Sequence, residues 1–132
     1  MAKEEIVTKK NQNRGQYVDG YVIPVPKNKV DEYRKLASKA GKIWIEYGAL
    51  EYRECIGDDL KIKGLVSFIE AAKAKSSETV IFSWIIFKSK KQRNEINAKV
   101  MTDPRISNTN MASCPFDFRK MIFGGFKVIV KH

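Results

Sequence analysis

The stretch TVIFSWIIFK, residues 79–88, constrains the fold more than any other part of the chain. Val, Ile, Phe and Trp dominate it and no glycine or proline interrupts it, which is typical of a β-strand. Its two alternating sets are both largely apolar: Val80, Phe82, Trp84 and Ile86 on one face, and Ile81, Ile85 and Phe87 on the other. Such a pattern indicates a strand that is covered on both faces of its sheet.

Three further strands, two long helices and one short helix are predicted around this strand. Residues rich in Tyr, Val, Ile and Phe predict strands at 17–25, 49–57 and 121–130. Apolar spacings of three and four predict a helix within 27–48 that ends at Gly48. Ser89 and Gln92 form a capping box, which predicts a second long helix over 90–101. Residues 65–75 are expected to hold a short helix. The order is that of the split βαβ, or ferredoxin-like, arrangement, an α+β fold with an antiparallel sheet.

The apolar pattern also makes a prediction about assembly. Two long helices shield only one face of a four-stranded sheet, so the second face of the 79–88 strand needs another cover. The simplest cover is the same sheet of a second subunit, which predicts a face-to-face homodimer. A ligand, or the irregular segment 58–78, is the alternative cover for part of that surface.

The domain limits and the compartment follow from composition. Residues 1–16 are polar and without periodicity, which predicts a disordered tail, and 17–132 is expected to form a single domain. The chain contains no apolar run of about 18 residues and its start lacks the apolar core of a signal peptide, so a cytoplasmic protein without a membrane partner is expected. Cys55 and Cys114 are predicted to be free thiols.

The positive charge raises nucleic acid as a partner. The 25 Lys and Arg residues exceed the 15 Asp and Glu residues, which gives a net charge of +10. The excess is spread over several segments, and the densest cluster, KSKKQR at 88–93, fits a solvent-facing helix start as well as it fits an RNA contact. RNA binding is therefore kept as an alternative and is not favoured.

Several classes of chemistry lack their essential residues. The only histidine is His132, the last residue, so histidine-based metal sites and Cys–His or Ser–His–Asp catalysis have no base in the predicted domain. No GxGxxG or GxxxxGK[ST] motif occurs, so dinucleotide and phosphate-loop binding lack their usual glycine cradle. No cofactor and no metal is expected.

Polar residues among apolar strand residues are the candidate catalytic groups. Asp19 and Tyr21 in the first strand and Ser83 in the third can lie on the same side of the sheet. Asp19, Glu54 and Cys55 are the candidates for acid, base or nucleophile. The alternatives are that Asp19 pairs with an arginine or caps a turn, and that Cys55 is a small buried hydrophobe.

Six residues are the candidates for ligand contact: Tyr21, Ser83, Trp84, Arg105, Gly124 and Gly125. Arg105 lies in the long connection 103–119, which is expected to close over the sheet as a lid. Arg105 is expected either to contact the ligand or to tie the connection to the domain through Asp103 or Asp117. The adjacent glycines in the last strand are expected to border a cavity beside a bulge, or to bend the strand.

Five short segments of the chain resemble segments that occur in the same order in the YbaA-like family of small bacterial proteins. They are YVDGYVIPVP, GALEYRECIGDD, FSWIIFKSKKQRN, MTDPR and PFDFRKMIFGGF. The resemblance covers roughly residues 17–130. It implies a dimeric α+β barrel in which two ferredoxin-like sheets pack together, and a family whose function is uncharacterised. Phe123 stands where the family commonly has Tyr, and Phe118 where it has Gly, so a role for a phenol at position 123 does not carry over.

The expected function is the binding of a small apolar or aromatic molecule in a cavity beside the sheet. Cofactor-free oxidation of such a molecule, as in the barrel monooxygenases, is implied only by the superfamily resemblance, since the residues form no complete catalytic constellation. An RNA-binding module and a structural interaction protein without catalysis are the alternatives.

Overall fold

The computed structural model describes residues 15–132. The strands are β1 (Tyr17–Pro26), β2 (Glu51–Ile56), β3 (Glu78–Phe87) and β4 (Ile122–Lys127). The helices are α1 (Val30–Glu46), α2 (Phe68–Ala71), α3 (Lys90–Thr102) and α4 (Pro104–Ser107), with short 3-10 turns at Lys27–Lys29, Met111–Ser113 and Phe118–Lys120. Most of the predicted tail, residues 1–14, lies outside the described residues.

The four strands form one antiparallel sheet in the order β2-β3-β1-β4. The long strands β1 and β3 lie at its centre and pair over ten residues each, from Tyr17 opposite Phe87 to Pro26 opposite Glu78. This is the predicted α+β architecture, with the strand order of a split βαβ unit.

Side chains of odd-numbered residues in β1 and β3 face the long helices, because the pairing aligns odd residues with odd residues. The core lies between this face and the helices, where the fully buried Phe87 and Val25 belong to two adjoining clusters. From the helices, Ile43 of α1 and Val100 of α3 complete the packing.

The opposite side of the sheet, which we call the open face, is apolar and largely uncovered in the single chain. Phe82 and Phe126 on this face are 43% and 61% exposed. Within residues 15–132, α2 lies beside part of it through Phe68, whose ring meets that of Phe82 edge-on with centroids 5.8 Å apart. Beyond the part that lies beside α2, the cover predicted for this second face of β3 stays a prediction.

The helix ends follow the local sequence. Gly48 has a φ of +114°, a left-handed conformation that favours glycine, one residue beyond Tyr47, which follows the last residue of α1. The Ser89 hydroxyl accepts a hydrogen bond from the Gln92 N–H at 3.0 Å and begins α3 as predicted. The return bond of the capping box differs from expectation, because the Gln92 side chain accepts from Lys88 N–H.

None of the helices within residues 15–132 is long and apolar enough to cross a membrane.

Candidate functional site

A cavity of about 420 Å³ lies between the helix-covered face of the sheet, α1, α4 and the connection that precedes β4. Its aromatic lining is Tyr21, Tyr33, Trp44, Tyr52, Phe116 and Phe118; its aliphatic lining is Ile23, Leu36, Ala37, Ala40, Ile85, Met101, Ile106 and Met121; and Glu54, Ser83, Ser107, Thr109 and Cys114 complete it. Strands supply one wall, and residues of the 103–119 connection supply another; closure of this connection as a lid stays a prediction.

Glu54 provides the one carboxylate among these lining residues. It lies on β2 opposite Ser83 of β3, so both side chains face the cavity. Tyr33 of α1 donates its hydroxyl to one Glu54 oxygen at 2.6 Å, and Tyr52 donates to the other at 2.5 Å. Both carboxylate oxygens are therefore hydrogen-bonded by phenols.

The phenols around Glu54 are held in their neutral form. Burial is the main cause that raises the pKa of Tyr33 and of Tyr52 above the ordinary value, and the negative charge of Glu54 raises both further. Burial likewise raises the pKa of Tyr21, with a further contribution from Asp19. These hydroxyls therefore remain hydrogen-bond donors at neutral pH.

A smaller cleft of about 290 Å³ adjoins the cavity. Tyr33, Ala37, Tyr52 and Glu54 line both spaces. The Glu54 carboxylate thus lies at the boundary between the cavity and this cleft.

Asp19 forms a structural network beside the cavity. Its side chain is fully buried; one oxygen accepts from Arg93 Nε at 2.8 Å and the other from Asn97 Nδ2 at 3.0 Å. Asn97 in turn accepts from the Trp44 indole at 2.9 Å. The predicted alternative, in which Asp19 pairs with an arginine, is confirmed.

The structure brings three of the predicted residues together at the cavity: Tyr21, Ser83 and Glu54. Cys55 and Trp84 lie on the open face instead, because β2 and β3 residues alternate and Cys55 pairs with Phe82. The Trp84 indole donates to Glu51 on that face at 2.7 Å. Cys55 and Cys114 are both free, as predicted.

Arg105 links the connection to the domain, which is the second of the two predicted roles. Its guanidinium donates to both oxygens of Asp103, at 3.0 and 2.9 Å, and forms an ion pair with Glu46 of α1 at 2.8 Å. Asp103 also accepts from the Tyr47 hydroxyl at 2.7 Å. Arg105 is not among the residues that line the cavity.

The two glycines of β4 do not line this cavity, and β4 pairs with β1 in continuous register from Ile122 to Lys127 without the predicted bulge. Gly124 faces the open side, opposite Gly20. Gly125 faces the helices, where a Cβ would lie 2.5 Å from both the Tyr17 hydroxyl and Arg93 Nη2. The expected border with a cavity is wrong for the cavity described here, and a ligand contact at either glycine stays a prediction.

Sequence reasoning missed Tyr33, Tyr52 and Cys114 as lining residues. Tyr33 lies on the apolar stripe of α1, where a tyrosine is typical of the core, and Tyr52 lies in a short strand of mixed character. The usable signal was the register: residues 52 and 54 share a face of β2, so a tyrosine and a glutamate two positions apart had to be neighbours.

Residues 15–132 contain no group of three or more His, Cys, Asp or Glu side chains that could hold a metal ion.

Comparison with known proteins places the chain among relatives of similar length. A family model described as "Protein of unknown function (DUF1428)" matches residues 16–118. The uncharacterized protein YbaA of Escherichia coli K12 is 44% identical over 115 residues, which cover 87% of this chain and 97% of the relative. The YbaA proteins of Escherichia coli O157:H7 and Shigella flexneri match to the same extent. The predicted resemblance is confirmed.

Proposed function

The chain belongs to the DUF1428 family, described as proteins of unknown function, and we propose that it binds a small, largely apolar molecule in the cavity between the sheet and α1. The observation that carries the proposal is the cavity itself. Its volume of about 420 Å³ lies in the range of roughly 300–1,000 Å³ that is usual for small-molecule sites.

The lining supports an apolar ligand with a polar group at one end. Aromatic and aliphatic side chains form most of the wall, which favours burial of apolar surface. Glu54, with Tyr33 and Tyr52 bonded to it, forms a fixed polar end, and such a group orients a ligand and gives specificity.

A cavity-filling variant tests the proposal. Ala40 of α1 lines the cavity, so Ala40→Phe is expected to occupy space that the ligand needs. Lys39→Phe is the matched control, because Lys39 is the exposed neighbour on the same helix. The neutral fluorophore N-phenyl-1-naphthylamine serves as the probe, and native mass spectrometry reports any copurified molecule.

Loss of probe binding, and of any copurified mass, in Ala40→Phe but not in Lys39→Phe is the expected result. Equal binding by the wild-type protein and Ala40→Phe, with both variants folded by circular dichroism, contradicts a ligand in this cavity.

We further infer that the protein acts as a homodimer that packs its open faces together. Three apolar side chains on that face support the inference: Phe82, Ile122 and Phe126 are 43%, 45% and 61% exposed. A contiguous exposed apolar surface of this kind typically marks an interaction site. The occupant is a second copy of the chain, because residues 18–24 of β1 and 80–86 of β3 bring no charged side chain to this face, so two copies can meet there without contact between like charges.

A further inference from the structure

Glu54 differs from the two buried aspartates in having no cationic partner. Asp19 pairs with Arg93 at 2.8 Å, and Asp103 pairs with Arg105 at 2.9 Å. None of the ion pairs formed among residues 15–132 includes Glu54. Glu54 is half-buried, and a carboxylate that is partly removed from bulk water is destabilised unless a positive charge or several donors compensate it.

The two phenol donors compensate Glu54 only in part. Each Glu54 oxygen accepts one hydrogen bond, from Tyr33 or from Tyr52, and each retains a further lone pair. Phenols are neutral donors, so the negative charge itself remains unpaired at the boundary of the cavity.

The aromatic lining of the cavity favours the same kind of ligand as that negative charge does, a cation. The rings of Trp44 and Tyr52 lie with centroids 6.1 Å apart, and those of Tyr33 and Phe116 lie 5.4 Å apart edge-to-face. Aromatic faces attract organic cations, and aromatic cages recognise ammonium groups in many proteins.

We infer that the cavity takes a small organic cation, in which an amine or ammonium group pairs with Glu54 and a mostly apolar body fills the space towards α4. This inference rests on the proposed function and names the class of its ligand. The net charge of +10 does not oppose it, because exposed charges are screened over about 8 Å at physiological salt. Arg34, the cation that lines the adjoining cleft with Glu54, forms an ion pair with Asp31 at 3.1 Å.

A pair of isosteric probes tests the inference on the full-length chain. 2-Phenylethylamine is protonated at pH 7, whereas 2-phenylethanol has the same shape without the charge. We expect the amine to bind on the order of tenfold more tightly than the alcohol by isothermal titration calorimetry at 50 mM salt.

Two variants assign the preference to one carboxylate. Glu54→Gln keeps the shape of the side chain and removes its charge, so the amine is expected to lose its advantage over the alcohol. Glu51→Gln is the matched control, since Glu51 lies on the same strand but faces the open side, where it accepts from the Trp84 indole. It is expected to retain the full preference.

The outcomes separate this inference from the proposed function. If the alcohol binds the wild-type protein as tightly as the amine or more tightly, and Ala40→Phe loses this binding, the inference of a cationic ligand is overturned and the cavity remains a binding site. Absence of binding by both probes overturns the inference of a cationic ligand, and the N-phenyl-1-naphthylamine test then decides whether the cavity is a binding site. If Glu54→Gln fails to fold, the comparison of the two probes on the wild-type protein and on Glu51→Gln still decides whether charge is recognised, and equal affinities there overturn the inference.

Discussion

At the scale of single residues, Gly125 lies where the chain has no room for a side chain. A Cβ at this position would come within 2.6 Å of the Tyr17 ring and 2.5 Å of Arg93 Nη2. Arg93 cannot easily withdraw, because its Nε is bonded to the buried Asp19 and its guanidinium lies over the Tyr17 ring, 5.0 Å from the centroid. The glycine therefore allows β4 to approach this network closely.

Gly125→Ala is expected to lower the free energy of unfolding by about 1–3 kcal/mol, since an added methyl group must displace Tyr17 or Arg93. Gly124→Ala is the matched control: its Cβ meets Phe126 at 3.5 Å, an ordinary contact. It is expected to change stability by no more than about 0.5 kcal/mol. Because Gly124 faces the open side, urea unfolding measures both changes at a protein concentration too low for the proposed dimer to form, and equal losses at the two positions would contradict this explanation.

The pairing of charged residues could be predicted in part, and the aromatic pairing could not. An aspartate within an apolar strand needs a donor, so an arginine partner for Asp19 was a sound expectation. The identity of that partner was not accessible, because Arg93 is 74 positions away in sequence. The bond from Tyr33 to Glu54 was missed for the same reason: it joins a helix to a strand 21 residues later.

At the scale of elements, Asp103 joins three helices. It caps the N-terminus of α4, where its side chain accepts from Arg105 N–H at 2.9 Å, and it directly follows α3. Its other oxygen accepts from Tyr47, which directly follows α1. The hydrogen bonds from Arg105 and Tyr47 hold the pKa of Asp103 well below its usual range.

This lowered pKa predicts a defined acid response. An unfolded aspartate has a pKa of about 3.9, so the contribution of Asp103 is complete well above that pH and is lost as the pH falls towards the lower folded value. We expect Asp103→Asn to reduce stability at pH 7 and to flatten the fall in stability between about pH 4 and pH 2. Tyr47→Phe removes one donor only and is expected to give an intermediate slope.

Urea unfolding of the three proteins at several pH values measures this response. If the free energy of unfolding falls with pH in the same way for the wild-type protein and Asp103→Asn, another group causes the loss of stability at low pH.

The element order was predictable because α1 has a clear apolar period, β3 is an uninterrupted apolar run and α3 follows a capping serine, but the ends of β4 were not. The apolar run 121–130 predicted a longer strand than the observed Ile122–Lys127. Pairing with β1 ends where β1 begins at Tyr17, so the later apolar residues have no opposite strand residue. Ile129 and Val130 are consequently 83% and 69% exposed.

At the scale of the whole molecule, β4 offers a matched test of the proposed dimer. Phe126 and Phe123 lie on one strand and are 61% and 51% exposed. Phe126 is on the open face. Phe123 is on the helix side, where its ring packs against the ring of Tyr21 with centroids 4.9 Å apart. Phe126→Asp is expected to shift the protein from dimer to monomer, because it would bury a charge in an apolar interface. Phe123→Asp is expected to leave the dimer intact.

Sedimentation equilibrium of the wild-type protein and both variants measures the assembly. A monomeric wild-type protein, or dissociation by Phe123→Asp alone, would refute packing through the open face.

The boundary position of Glu54 has a consequence for the rates of exchange. Because this carboxylate also lines the smaller cleft, solvent can reach it from that side while the cavity is filled. Water can then replace a departing ligand's hydrogen bonds one at a time, which lowers the barrier to dissociation. We therefore expect the proposed ligand to have a short residence time.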